Sequence, residues 1–166
     1  TKDFVTSHPD FSAIISRFSQ ESWYRENGAS ENTLLLVKTN AKSYGGFVER
    51  LVRTYLDIDP PISTEHDAIW DGFKIEIKAP RYSARGTFFI QHLKEHHNFH
   101  MILTALLEPD GSYSLYMISK RLALVYSKEQ RGEGKMLQGY EIIRHGCKIC
   151  DRSELGRYIA ENFYKD

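Results

Sequence analysis

The sequence is organised around residues 65–78, which read EHDAIWDGFKIEIK. Asp71 and Gly72 lie in the middle of this stretch, and the pair is typical of a two-residue type I′ turn, in which both central positions need a positive φ. In residues 73–79 apolar side chains alternate with charged ones, as in a strand with one buried face. The pattern therefore predicts a β-hairpin with strands at 66–70 and 73–79.

The predicted hairpin brings charged side chains together. Counted outward from the turn, Asp67 stands opposite Glu76, and directly opposed residues share one face with Cβ atoms about 5 Å apart. Lys78 lies two residues beyond Glu76 and projects from the same face. Because opposed carboxylates repel each other, we expect a divalent cation between them, and Mg²⁺ is commonly held by one or two carboxylates with phosphate oxygens and water. Lys78 would then orient or deprotonate the attacking water, or stabilise charge that develops on phosphorus.

A second register for the metal site is open. Asp71 would be the metal-binding aspartate if the chain between Asp71 and Glu76 were looped. In a regular hairpin Asp71 sits at the tip, about 16 Å along the strand from Glu76 at roughly 3.3 Å per residue. The sequence therefore favours Asp67.

These residues resemble the active-site motif of the PD-(D/E)xK nuclease superfamily, which includes most type II restriction endonucleases. The match consists of Asp67, eight intervening residues and the tripeptide EIK at 76–78. One departure is His66, which stands where the motif has proline. The small size of the chain and its lack of helicase or junction-resolving signatures resemble a type II restriction enzyme more than a recombination nuclease.

The resemblance covers about residues 41–120. Glu49 looks like the family's upstream acidic position, and Gln91 stands on a predicted helical segment where related nucleases often carry an active-site glutamine. Ordinary alternatives are a helical ion pair of Glu49 with Arg53 and a routine surface role for Gln91. The catalytic set that the resemblance implies is Asp67, Glu76, Lys78, Glu49 and Gln91, with Mg²⁺ held by Asp67 and Glu76.

The resemblance also implies a fold and an activity. The fold is α/β with a restriction-endonuclease-like core, in which a mixed central sheet carries a catalytic hairpin flanked by helices. The activity is Mg²⁺-dependent hydrolysis of phosphodiester bonds in double-stranded DNA, by a single catalytic domain over residues 1–166 that is either a whole enzyme or part of a longer chain. A palindromic target would require a homodimer, whereas a domain of a longer chain would act as a monomer. The alternatives are a DNA repair or structure-specific nuclease, a non-catalytic DNA-binding module on the same scaffold, and an RNA-processing nuclease.

Hydrophobic periodicity predicts the remaining elements. Residues 41–56 have apolar side chains at 47, 48, 51, 52, 55 and 56, which form one helical stripe. Pro60 and Pro61 prevent the helix from continuing. The short apolar run at 33–37 fits either type of element. The predicted helices are 11–23, 41–56, 87–96 and 153–164, and the further strands are 100–108 and 112–119.

Basic and polar residues that follow the hairpin are candidates for DNA contact. Arginine grips phosphate or a guanine edge with two hydrogen bonds, and histidines near an active site can contact bases or phosphates. Residues 127–139 contain three glycines and several basic side chains, so they are either a second contact region or a solvated loop. The candidate DNA-binding residues are Arg81, Tyr82, Ser83, Arg85, Lys94, His96, His97, Arg131 and Lys135.

The charge distribution agrees with a metal site beside a phosphate-binding surface. The 22 basic residues balance the 22 acidic ones, but acidic residues prevail at 49–76 and basic ones at 77–100 and 117–148. A mixed solvated surface would explain the same distribution. No apolar run approaches the roughly 18 residues that span a bilayer, and no signal peptide is evident. We therefore expect no membrane association and a cytoplasmic location.

Two groups of residues have the spacing of zinc ligands. His92 and His96 would lie one turn apart on a helix, and Cys147 and Cys150 form a C-x-x-C pair. A second ligand pair is not evident for either group. The sequence therefore favours DNA contact for the histidines and two reduced cysteines, one of them buried.

Overall fold

Strand β4 (Met101–Leu107) lies at the centre of the fold and is buried along its whole length. In the computed structural model, which describes residues 19–164, its odd-numbered residues face one apolar core. Ile102 and Leu106 face a second core on the other side. A strand covered on both faces is a near-continuous apolar run, which explains why this segment lacks an alternating pattern.

The described residues form an α/β fold with two sheets. The helices are α1 (Gln20–Glu26), α2 (Glu31–Lys38), α3 (Ala41–Leu56), α4 (Lys120–Tyr126), α5 (Gly139–His145) and α6 (Arg152–Phe163). The strands are β1 (Ala68–Trp70), β2 (Phe73–Lys78), β3 (Phe89–Leu93), β4 (Met101–Leu107), β5 (Tyr113–Ser119), β6 (Lys128–Glu129), β7 (Lys135–Gln138) and β8 (Cys147–Ile149).

The larger sheet is mixed and has the strand order β1-β2-β4-β5-β8. Strands β2 and β4 are parallel, and the other neighbours in this sheet are antiparallel. Helices α1, α2, α3 and α6 pack on one face and complete the first core. The smaller sheet, of order β3-β7-β6, covers the other face together with α4 and α5. The larger sheet thus lies between a helical layer and a mixed layer.

The hairpin forms with the predicted register. Ala68 pairs with Ile75 and Trp70 with Phe73. Asp71 has φ 50° and Gly72 has φ 81°, as a type I′ turn requires. The hairpin occupies one edge of the larger sheet, where β2 continues into the interior through its parallel pairing with β4.

Helix α3 has the predicted bounds, but its apolar stripe divides into two rows. Val48, Val52 and Leu56 are buried under the sheet, whereas Leu51 and Tyr55 remain 39% and 62% exposed. Asn40 caps the helix by accepting a hydrogen bond from the Ser43 amide at 3.0 Å. The strands predicted at 100–108 and 112–119 and the helix predicted at 153–164 are confirmed within a few residues. The open run at 33–37 lies within α2.

The helix predicted at 87–96 is wrong, because this segment contains β3 in the smaller sheet. The buried side chains Phe88, Ile90 and Leu93 fit a strand interrupted by one irregularity, and His92 has φ 57° at that point. Aromatic and branched residues also favour a strand here. Residues 127–139 are likewise not a plain loop, since β6 and β7 pair within them.

The described residues bear only in part on two further predictions, the helix at 11–23 and the lack of a membrane-spanning segment. The helix predicted at 11–23 falls mainly outside the described residues; its described part overlaps α1 (Gln20–Glu26). Within residues 19–164, no helix is long and apolar enough to cross a membrane.

Candidate active site

The hairpin places the Asp67 and Glu76 carboxyl groups in contact. The Asp67 amide donates to the Ile75 carbonyl at 2.9 Å, which extends the pairing one residue beyond β1. The Asp67 Oδ2 atom accepts a hydrogen bond from the Ile77 amide at 2.8 Å. The Glu76 carboxyl group lies close enough to that of Asp67 for the two to interact directly. Backbone pairing therefore fixes the relative position of the two carboxyl groups.

Burial and the neighbouring Asp67 carboxyl group together control the protonation of Glu76. Burial, the hydrogen bond with Asp67 and the negative charge of Asp67 raise the pKa of Glu76 to about 9, in decreasing order of effect. Lys78 opposes this rise only in part. Without a cation, Glu76 therefore keeps its proton to a higher pH than an ordinary glutamate does.

Lys78 extends from the same face of β2 toward the smaller sheet. Its Nζ atom donates to the His92 carbonyl at 3.4 Å, a long hydrogen bond. Burial lowers the pKa of Lys78, while the nearby Glu76 and Asp67 carboxyl groups raise it. The amine is thus half-buried beside two acidic groups, where a lysine can act in proton transfer.

Helix α3 contributes two groups to the same region. Burial raises the pKa of Glu49, and repulsion from Asp67 raises it further. Arg53 donates from Nη1 to the Asp67 carbonyl at 3.0 Å. The described residues show no ion pair between Glu49 and Arg53. Glu49 is therefore electrostatically coupled to the carboxyl pair, and Arg53 anchors the hairpin to the helix.

The chemistry of the Asp67–Glu76 pair fits a hard divalent cation. Mg²⁺ commonly takes one or two carboxylates from the protein and completes its coordination with water and phosphate oxygens. A cation between the two groups would replace the proton that Glu76 otherwise holds against the Asp67 charge. No cluster of three or more His, Cys, Asp or Glu side chains that could hold a metal is present among residues 19–164. Glu49 therefore does not complete a three-carboxylate site.

Asp71 is held elsewhere. It lies at the tip of the hairpin, is exposed, and its Oδ2 atom accepts a hydrogen bond from the Tyr164 hydroxyl at 2.9 Å. The structure thus brings Asp67, not Asp71, beside Glu76.

Gln91 lies on β3, one residue before the carbonyl that Lys78 contacts, and its side chain is exposed. It belongs to a strand and not to the helix that the sequence predicts. Gln91 is thus next to a residue that contacts Lys78. Because it lies on a strand, the helical position that the resemblance implies does not apply to it.

Three of the candidate DNA-binding residues have structural partners. Arg81 donates from Nη1 to the carbonyls of Leu36, Val37 and Thr39 at 2.8–2.9 Å, which satisfies the C-terminal end of α2. The Tyr82 hydroxyl donates to the Glu108 carboxylate at 2.7 Å. The Ser83 hydroxyl lies 3.0 Å from that of Thr87 across a turn. Their contacts hold the segment after β2 in place.

The other candidates lie on or near the smaller sheet or remain exposed. Lys94 is ion-paired with Glu133 at 3.4 Å, and Lys135 with Glu95 at 3.2 Å. The exposed candidates are Arg85, Arg131 and His96, while His97 is half-buried with its ring against that of His96. The lysines therefore carry carboxylate partners that a phosphate would have to displace.

The histidine and cysteine groups do not form metal sites within the described part of the chain. The helical spacing of His92 and His96 does not apply, because β3 replaces the helix. Cys147 and Cys150 are both free and both exposed, so the expectation that one is buried is wrong.

A cavity of about 510 Å³ lies between α3, β5 and β8. Its apolar lining includes Leu51, Val52, Leu115 and Ile149 and contains no carboxylate. This cavity therefore lies apart from the carboxyl groups of Asp67 and Glu76.

Sequence reasoning missed two groups that shape the site. The His92 carbonyl contacts Lys78 because of an irregularity in β3, and no local pattern marks that feature. Arg53 was visible only as a helical neighbour of Glu49, and its contact with the Asp67 backbone depends on how α3 packs against the hairpin.

Comparison with known proteins does not assign this chain to a family. Neither the models of known protein families nor the curated proteins give a match to its sequence.

Proposed function

We propose that this chain is a Mg²⁺-dependent endonuclease that hydrolyses phosphodiester bonds of double-stranded DNA, with a restriction-endonuclease-like core of the PD-(D/E)xK type. The observation that carries the proposal is the contact between Asp67 and Glu76 on a β-hairpin, with Lys78 on the same face. The mixed sheet, in which β2 joins the hairpin to β4, supports it.

Asp67 and Glu76 would hold the metal ion, which supplies Lewis-acid polarisation and charge neutralisation at the scissile phosphate when bound. Asp67 is oriented for this role by the Ile77 amide and, through its carbonyl, by Arg53. Lys78 orients the attacking water and holds or accepts its proton, because its partly desolvated amine lies beside the carboxyl pair. Glu49 adjusts the charge of the site through its repulsion with Asp67.

The test is cleavage of supercoiled plasmid DNA by the purified chain with Mg²⁺. We expect discrete products, their loss in EDTA, and a fall in rate of about 10²-fold or more in Lys78→Met, since a positioned proton-transfer group contributes about 10²–10⁴-fold. Lys148→Met is the matched control, because Lys148 is exposed on the far edge strand β8. Equal loss of activity in both variants, or cleavage that persists in EDTA, would contradict the proposal.

The same assay separates the neighbouring activities. Branched, nicked or mismatched duplexes cut in preference to perfect duplex would identify a structure-specific or repair nuclease. Binding of duplex without cleavage of any DNA or RNA would leave a non-catalytic binding module.

A further inference from the structure

Thr104 is a polar residue in the middle of the apolar strand β4. Its side chain is fully buried, and its Oγ1 atom has no hydrogen-bond partner among the described residues. A buried hydroxyl left unpaired costs about 1–3 kcal/mol of stability, and valine would fill the same space without that cost. The presence of threonine here therefore needs a reason other than packing.

The sheet places Thr104 next to Lys78. The two residues are direct partners in the parallel pairing of β2 and β4, whose strands are about 4.8 Å apart. Neighbouring partners in a sheet project from the same face, and alternation along β2 puts Glu76 on that face as well. The Thr104 hydroxyl therefore lies beside the lysine on the side that carries the carboxyl pair.

Lys78 has hydrogen-bonding capacity to spare. A lysine ammonium group has three N–H donors. One of them makes the 3.4 Å contact with the His92 carbonyl, which is longer than a good hydrogen bond. The Thr104 hydroxyl, which belongs to the residue paired with Lys78 on the neighbouring strand, is an acceptor without a partner that could take one of the remaining N–H groups.

We propose that Thr104 is a positioning residue of the nuclease site, whose hydroxyl accepts a hydrogen bond from the Lys78 ammonium group and limits its movement on the face that carries the Asp67–Glu76 pair. This inference rests on the proposed function for its catalytic consequence. The proposed hydrogen bond to Lys78 does not depend on the nuclease function and can be tested separately.

The activity test compares Thr104→Val, which keeps the shape and removes the hydroxyl, with Thr104→Ser, which keeps the hydroxyl. We expect Thr104→Val to lower kcat about tenfold with little change in KM, as for other groups that orient a catalytic residue. Thr104→Ser retains most of the wild-type kcat. Thr33→Val is the matched control, because Thr33 is buried in α2, on the opposite layer.

The second measurement needs no activity. The ¹H–¹⁵N signal of the Lys78 ammonium group, identified by its loss in Lys78→Met, is recorded in the metal-free chain at mildly acidic pH. We expect it to shift and to exchange faster with water in Thr104→Val, and to stay close to wild type in Thr104→Ser and Thr33→Val. An identical signal in all of these proteins overturns the inference, whether or not the chain cleaves DNA. Shifted signals in a chain that cleaves no nucleic acid would support the contact and count against the nuclease function.

Discussion

Glu76 links the stability of the metal-free protein to pH. Its pKa rises from an ordinary value of 4.5 to about 9 in the folded state, so the folded protein holds a proton that the unfolded chain releases. This stabilisation is complete below the unfolded pKa and is lost as the pH rises from about 4.5 toward 9. We expect the melting temperature in EDTA to fall with pH over this window in wild type and to fall less in Glu76→Gln.

The control for this measurement is Glu161→Gln, which makes the same change at an exposed position of α6. It should keep the wild-type dependence on pH. Parallel curves for wild type and Glu76→Gln would show that the carboxyl pair does not hold the extra proton.

Asp67 and Asp71 give opposite predictions for metal binding. Because a ligand that binds only the folded state stabilises it by about 2.7 kcal/mol at 100 times its Kd, Mg²⁺ should raise the melting temperature of the wild-type chain. We expect Asp67→Asn to abolish this rise and Asp71→Asn to keep it, since Asp71 is at the hairpin tip in contact with Tyr164. The reverse result, measured by thermal unfolding in a Mg²⁺ titration, would assign the metal to Asp71.

At the scale of elements, local signals account for some parts of the fold and not for others. The hairpin was predictable because its two signals, the Asp-Gly turn and the two-residue alternation of β2, are adjacent in the sequence and indicate the same structure. Strand β3 was not predictable from local sequence, because its irregularity at His92, where φ is positive, depends on groups that are distant in the chain. The His92 amide donates to the Gln130 side chain at 3.0 Å, and Gln130 lies 38 residues further along the chain.

Gly134 is the close point of contact between the β6–β7 hairpin and β3. A Cβ atom at Gly134 would lie 2.9 Å from the backbone of His92, whereas one at Gly132 would meet nothing within 4 Å. Both glycines have positive φ, 89° and 96°. We therefore expect Gly134→Ala to be less stable than Gly132→Ala by about 1–3 kcal/mol, the usual effect of overpacking, since strain at φ is common to both.

Denaturant unfolding of the two variants tests this difference. The same contact holds the His92 carbonyl that Lys78 meets, so cleavage should also fall more in Gly134→Ala. Equal stability of the two variants would show that β3 adjusts freely and does not fix the lysine.

At the scale of the whole molecule, the basic residues serve two different purposes that their sequence positions do not reveal. Arg81 follows the hairpin closely, yet its guanidinium satisfies the end of α2 and lies 4.4 Å from the centre of the Tyr44 ring. Arg85, four residues later, is exposed. The residue type and its distance from the motif predict that a basic side chain lies near the site. Only packing decides whether that side chain faces the protein interior or a ligand.

Lys94 is ion-paired within the protein and also close to the candidate site. Its ammonium group is paired with the exposed carboxylate of Glu133, and its charge lowers the pKa of Lys78. If the chain binds DNA as proposed, a phosphate would have to compete with Glu133 for this lysine. We expect Glu133→Gln to tighten binding of duplex DNA about two- to fivefold at low salt, the range of a surface ion pair, and to steepen the slope of log K against log salt by up to about 0.9, the contribution of one further phosphate contact. Fluorescence anisotropy with a labelled duplex over a series of salt concentrations measures both quantities.

Glu31→Gln is the matched control, because it removes the carboxylate from an ion pair with Arg25 in the opposite layer and should change neither the affinity nor the salt dependence. Similar effects of the two substitutions would mean that DNA responds to the net charge of the chain and not to Lys94.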